Sequence, residues 1–153
     1  METHIVIETD KKQEISEEVQ IPHIESHADF VKAVRASGMV GLGGASFPTS
    51  IKMDPKNLDE CTTLVINGAE CEPFITGDNR VMVEDGQDVL DGMLLTMKYL
   101  NLEKGIIGVE ENKPDAIENL NRLIQQNGID NIEVFKLQSR YPKGAERVLV
   151  YET

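Results

Sequence analysis

Apolar positions along the chain alternate between short unbroken runs and stripes at helical spacing. In "HADFVKAVRAS", Phe30, Val31 and Val34 share one face. Ser26 stands where an N-cap belongs and Gly38 where a C-terminal glycine does, so a helix is predicted there. "TTLVING" (62–68) is a brief run rich in β-branched residues and predicts a buried strand that ends in a turn. From Gln87 to Leu100, the residues Val89, Leu90, Met93, Leu94, Met97 and Leu100 recur at helical spacing, the clearest helix in the chain. "KGIIGVE" predicts a second buried strand. "ENKPDAIENLNRLIQQNG" predicts a helix with Asn112 as cap, Pro114 in the first turn, Ile117, Leu120 and Ile124 as its face, and Gly128 at its end. "NIEVFKL" predicts a third strand, and "KGAERVLVYET" opens another helix.

Strand, helix, strand, helix, strand at this spacing is a βαβαβ pattern. It predicts an α/β fold with a largely parallel sheet. The abrupt end inside the last helix predicts a boundary within a longer protein. Residues 1–27 differ in character, with seven carboxylates and two lysines. "HIVIE" alternates and predicts a short strand, while "KKQEISEEVQIPHIES" predicts an exposed, extended lead-in. The domain proper is expected over 28–153. "GAECEPFITGDNR" is expected to be a polar loop.

The formal net charge of −12 argues against unaided binding to nucleic acid or to an anionic membrane. No apolar run is long enough to span a bilayer, and the N-terminus lacks the cationic start and apolar stretch of a signal peptide. These features point to a cytoplasmic protein. The cysteines, Cys61 and Cys71, are too few to hold an iron–sulfur cluster. Cys71 lies between Glu70 and Glu72, which disfavour its thiolate, so it is not a candidate nucleophile. His4, His23 and His27 lack metal-ligand spacing and are expected at the surface. No catalytic triad or paired acid–base set presents itself, so any redox chemistry would have to be carried by a cofactor.

Three loops carry the candidate chemistry. "GLGGASFPTS" (41–50) has three glycines in four residues. It is not a dinucleotide fingerprint, since Ser46 occupies the third glycine position and a helix rather than a strand precedes it. No P-loop lysine follows either. Consecutive glycines let amide groups converge on an anion, and Lys52 could add positive charge. A tight connection needing positive φ explains the same glycines. "NGAECEP" (67–73) follows a predicted parallel strand, where open α/β sheets bind ligands. Asn67 offers amide donors and a carbonyl there, and Glu70 and Glu72 offer acceptors; a solvated acidic loop is the plainer alternative. "RYPKGAE" (140–146) also follows a strand, with Tyr141 as a flat face, Gly144 for close approach and Glu146 as acceptor. An ordinary strand-to-helix turn would read the same way.

Taken in order, "GMVGLGGASFPTSIK", "NGAECEP" with "TGDNR", "IGVEENKPDAI" and "YPKGAERVLVY" resemble the RnfC family, the peripheral subunit of the Rnf electron transport complex. The same block is similar to the NADH-binding flavoprotein subunit of respiratory complex I. The resemblance covers roughly Phe30 to the C-terminus. It implies a Rossmann-like three-layer sandwich, cut short at the C-terminus, that binds FMN as cofactor and NAD(H) as substrate. Carried over by position, it implies that Gly41, Gly43, Gly44, Lys52, Asn67, Glu70, Tyr141 and Gly144 bind the cofactor. Phe47, Lys52, Glu72 and Glu146 would face the nucleotide substrate. No catalytic side chain and no metal ligand is implied.

The [4Fe–4S] clusters, the barrel-like domain and the ubiquitin-like domain of the family are expected outside this chain. The implied partners are the other Rnf subunits, membrane-embedded and iron–sulfur ones included, without direct membrane insertion by this chain. The implied location is therefore peripheral, on the inner face of the cell membrane. Ser46 stands where the family usually has glycine, and Ala69 where the complex I relatives have aspartate. Those departures motivate an alternative, a domain that mainly docks partner subunits. A cobalamin-reductase relative, which shares the glycine loop, is the enzymatic alternative.

Overall fold

The computed structural model describes residues 6, 8–12, 14–41, 46–70, 74–140 and 144–153, with Glu146 described for its backbone only. The core is a three-stranded sheet of β1 (Thr63–Asn67), β2 (Lys104–Glu110) and β3 (Ile132–Leu137), in the order β1-β2-β3. Both pairings are parallel, with Val65 opposite Ile106 and Ile107 opposite Val134. Helices α1 (His27–Ala36) and α2 (Thr49–Lys52) precede the sheet. Helices α3 (Gly77–Glu84) and α4 (Gly86–Leu100) link β1 to β2, α5 (Pro114–Gln126) links β2 to β3, and α6 (Glu146–Glu152) follows.

Two glycines on β2 report what lies on each face of the sheet. A Cβ on Gly105 would meet Met93 and Met97 of α4, whereas one on Gly108 would meet Leu149 of α6. Residues three apart on a strand point to opposite faces, so α4 and α6 cover opposite sides. With α5 packed beside α4, the result is the parallel α/β sheet expected from the pattern, in the three layers that the resemblance implied. The α4–α5 side holds the main core. Ile107 and Val109 of β2 meet Leu90, Met93 and Met97 of α4 and Ala116, Ile117 and Leu120 of α5. Leu90, Ile107 and Leu120 have no exposed surface, and burial at that level stabilises by about 1.5–3 kcal/mol per side chain.

Local signals explain most boundaries. The Ser26 hydroxyl accepts the Asp29 amide at 3.2 Å while the Asp29 carboxylate accepts the Ser26 amide at 3.1 Å, a reciprocal capping box that starts α1. The Ser26 hydroxyl also donates to Asp29 Oδ2 at 2.7 Å, and this bond foremost, with the Glu25 and Ser26 amides, holds the Asp29 carboxyl below its ordinary value. Gly38 at φ +71 and Gly128 at φ +63 supply the left-handed turns after α1 and α5. Of the apolar stripe on α1, Phe30 alone is buried, stacked on Tyr99 of α4 at 5.2 Å. The Tyr99 hydroxyl donates to the Ile24 carbonyl at 3.0 Å, which fixes the end of the lead-in on α4. The described residues between 8 and 23 are exposed, with no helix or strand. The alternation in "HIVIE" falls largely on residues outside those described.

Three expectations change. The segment after β1 is not all loop: it contains α3, anchored by the buried Met82. Asn112 does not cap α5; Lys113 takes that position without a side-chain cap bond, and Pro114 begins the helix. His27 is not a lead-in surface residue but the first residue of α1, half-buried, with Nε2 2.7 Å from the Met53 carbonyl.

Candidate functional site

The loops after β1 and β3 meet at the carboxyl edge of the sheet. The Asn67 side-chain amide donates to the Gly144 carbonyl at 2.8 Å, across 77 residues of sequence. Its Oδ1 accepts the Ala69 amide at 3.2 Å. Asn67 thus clamps one loop to the other and turns its own. Gly68 is packed tightly just behind: its amide donates to the Gly108 carbonyl at 2.9 Å, and a Cβ would lie 3.1 Å from that oxygen. Here glycine is required by close approach to β2.

Glu70 is the most enclosed of the candidate residues described. Its side chain is 1% exposed. Oε1 accepts the Asp78 amide at 2.7 Å, and Oε2 accepts the Asn79 amide at 3.2 Å and the Lys113 ammonium at 3.1 Å. The carboxylate therefore closes the N-terminus of α3, which lacks a side-chain cap from Thr76. Its own amide donates to Glu110 Oε2 at 3.1 Å, and Glu110 is buried at the end of β2. Burial, together with the nearby Glu70 charge, pushes the Asp78 carboxyl up from its ordinary value. Asn79 Oδ1 is buried without a hydrogen-bond partner among the described residues.

The glycine loop is closed at its base. The Gly41 amide donates to the Phe47 carbonyl at 2.9 Å, the Thr49 amide donates to the Met39 carbonyl at 3.0 Å, and Val40 and Pro48 form an antiparallel bridge. Phe47 keeps about half of its surface exposed (48%), and Lys52 is exposed at the end of α2. Ser46 stands at φ +53, in the left-handed region that favours glycine. Ser46→Gly is therefore expected to raise stability by roughly 1 kcal/mol, relief of that strain outweighing the added unfolded-state entropy. A urea titration reads it, and a lower midpoint would contradict the left-handed assignment.

Gly43, Gly44, Glu72, Tyr141 and the Glu146 side chain lie outside the described residues. Among the rest, the structure joins Asn67, Glu70 and Gly144 at the sheet edge, while Gly41, Phe47 and Lys52 belong to a hairpin and short helix with base bonds of their own. Grooves of about 380 Å³ beside α1 and about 260 Å³ beside the hairpin contain none of the candidate residues. Glu110, Lys113 and the amides opening α3 were not foreseen. The available signal was a charged residue ending the apolar strand β2, on the edge where ligands bind.

A parallel sheet with helices on both faces, and polar loops joined at its carboxyl edge, defines an open α/β domain, the class that binds ligands at that edge. The Nuo51 FMN-binding domain family matches residues 34–153, and the chain belongs to that family. It is 38% identical over 149 residues to the C subunit of the proton-translocating ferredoxin:NAD(+) oxidoreductase complex of Clostridium ljungdahlii, covering 95% of this chain and 32% of the relative. It is 45% identical over 126 residues to the C subunit of the Na(+)-translocating ferredoxin:NAD(+) oxidoreductase complex of Acetobacterium woodii, covering 80% and 28%. A third relative, the C subunit of the ion-translocating oxidoreductase complex of Rhodobacter capsulatus, is 36% identical over 129 residues, covering 84% and 25%.

The resemblance to RnfC is borne out by these relatives, of which the chain spans about a third or less in length. Among solved structures, a chain of the NAD+-reducing [NiFe]-hydrogenase in the air-oxidized state superposes with a TM-score of 0.67 at 22% identity, over 83% of this chain and 23% of that one. That likeness shows the fold. No helix among the described residues is long and apolar enough to cross a membrane.

Proposed function

We propose that the chain is the FMN- and NADH-binding part of an RnfC-type subunit, within an ion-translocating ferredoxin:NAD oxidoreductase. The observation that carries this reading is the Asn67–Gly144 clamp at the carboxyl edge, in a chain of an FMN-binding family. The residues fit such a cofactor in kind. Gly41, Gly43 and Gly44 would let a phosphate or flavin ring approach a backbone without side chains, though the Gly41 amide itself is held by the Phe47 carbonyl, and the Lys52 ammonium adds positive charge a few residues on. The half-exposed Phe47 ring offers a flat apolar surface to an isoalloxazine or nicotinamide. Tyr141 and Gly144 would form the far wall, and Glu72 and Glu146 would accept from the hydroxyls of the nucleotide. The orphaned Asn79 Oδ1 gives the region an acceptor to spare.

When bound, FMN supplies exchange of two electrons with a nicotinamide and of single electrons with iron–sulfur centres. This chain's residues would hold the flavin and NADH against each other. The [4Fe–4S] centres and membrane-embedded subunits that accept or deliver electrons belong to other segments and partners. The location is peripheral, on the inner face of the cell membrane.

Anaerobic addition of NADH to the flavin-loaded chain tests the electron-transfer half. Bleaching of the oxidised-flavin band that saturates with NADH is expected. Bound flavin that stays oxidised at saturating NADH would contradict it.

A further inference from the structure

Resting on the flavin reading, we propose that Glu70, Lys113 and Glu110 are positioning residues: a buried charge network that sets the acidic loop for cofactor binding without touching the cofactor. Glu70 was expected from the resemblance to contact the flavin. Its geometry points elsewhere. At 1% exposure, with three protein donors on its two oxygens, the carboxylate has no accessible face for a ligand hydroxyl. The backbone of Glu70 is held as firmly, through its amide on Glu110.

The network joins four places that are distant in sequence. Glu70 belongs to the loop after β1, Glu110 ends β2, Asp78 and Asn79 open α3, and Lys113 occupies the cap position of α5. Lys113 is 15% exposed and is the ammonium paired with Glu70. Two buried carboxylates share this neighbourhood, with Asp78 beside them and Asp115 reaching Asn79 at 3.4 Å. Among the described residues no group of three His, Cys, Asp or Glu side chains could hold a metal ion. The Glu70 charge is balanced by Lys113 and by the amides that open α3, and Glu110 accepts the Glu70 amide, an arrangement that fails if one partner is removed. Asn67 and Gly68 are held by β2 and Ala69 by the Asn67 side chain, while beyond them the loop is oriented by these bonds and the Gly144 clamp. Loosening the network frees the loop while the sheet beneath stays intact.

The test compares wild type, Glu70→Gln, Lys113→Met and Lys113→Arg in the whole chain. Amide hydrogen exchange is followed by NMR, and the FMN dissociation constant by flavin fluorescence quenching. Glu70→Gln and Lys113→Met are expected to speed exchange at Glu70, Asp78 and Asn79 by about tenfold or more, with Ile107 of β2 unchanged. They are also expected to weaken FMN binding by about tenfold or more. Lys113→Arg keeps the charge and restores both to within about threefold.

Faster exchange with unaltered FMN affinity would overturn the positioning role and leave a purely structural one. Weaker FMN binding with unaltered exchange would also overturn it, by showing that Glu70 meets the cofactor directly. If Lys113→Met does not fold, the double variant Glu70→Gln/Lys113→Met removes both charges together and must show the same joint change. Wild-type chain that binds no FMN would overturn the flavin reading itself, while the exchange pattern still decides whether the network holds the loop. The exposed pair Lys104–Glu133 supplies the control, since Lys104→Met should leave both readouts unchanged.

Discussion

Leu120→Ala is expected to lower folding stability by about 2–5 kcal/mol, one of the two largest effects foreseen here. Leu120 has no exposed surface and lies in the cluster that joins α4 and α5 to Ile107 and Val109 of β2. Truncation removes transfer free energy and leaves a cavity among neighbours that are themselves fixed by the sheet. A domain of this size has a total stability of roughly 5–15 kcal/mol, so a large fraction is at stake. Urea denaturation should show a lower midpoint at an unchanged slope. A loss below about 1 kcal/mol would mean that α5 is not packed on the sheet as described.

Gly68→Val is expected to disable the site through the backbone. A Cβ at Gly68 would lie 3.0 Å from Met82 Sδ and 3.1 Å from the Gly108 carbonyl oxygen. The methionine can give way. The carbonyl cannot move far, because β2 is paired on both sides and that same oxygen accepts the Gly68 amide. Overpacking of this kind costs about 1–3 kcal/mol. The displaced residues would be Asn67, Ala69 and Glu70, so FMN affinity should fall by about tenfold or more. Gly92→Ala is the matched contrast. It lies on the exposed side of α4 with nothing within 4 Å of a new Cβ, and should stabilise the helix by about 0.5–1 kcal/mol without changing affinity. Equal FMN affinities for Gly68→Val and wild type would show that the acidic loop is not part of the site.

How far the fold was legible follows from where each element's stabilising partners lie in sequence. Helix α4 was legible because Leu90, Met93, Met97 and Leu100 form its buried stripe within one continuous segment. The strands were legible as short apolar runs; β2 is buried on both faces, whereas β1, expected to be buried, is half-buried beside it and β3 exposes Glu133 and Lys136. Helix α1 carried its own capping box. Helix α3 was not legible: it is eight residues long, buries only Met82, and has its N-terminus closed by Glu70 rather than by a residue next to it. The same cause hid half of the site. Position after a parallel strand was enough to point to Asn67, Glu70 and Gly144. That Asn67 would bond Gly144, and that Glu70 would turn inward onto Lys113 and the α3 amides, depends on side-chain directions that only the packed sheet sets. Ser46 is a further case. Its left-handed φ accounts for a glycine-favouring position in the hairpin, where sequence alone could read the position as room left for a ligand.

The measurement that bears most directly on the central claim is an FMN titration of the 153-residue chain by flavin fluorescence quenching, with far-ultraviolet circular dichroism recorded on the same sample. The account predicts saturable quenching at one site per chain, weakened by about tenfold or more in Asn67→Ala, which cuts the clamp between the two loops. A chain whose dichroism shows the folded α/β signature and which gives no saturable quenching would contradict it.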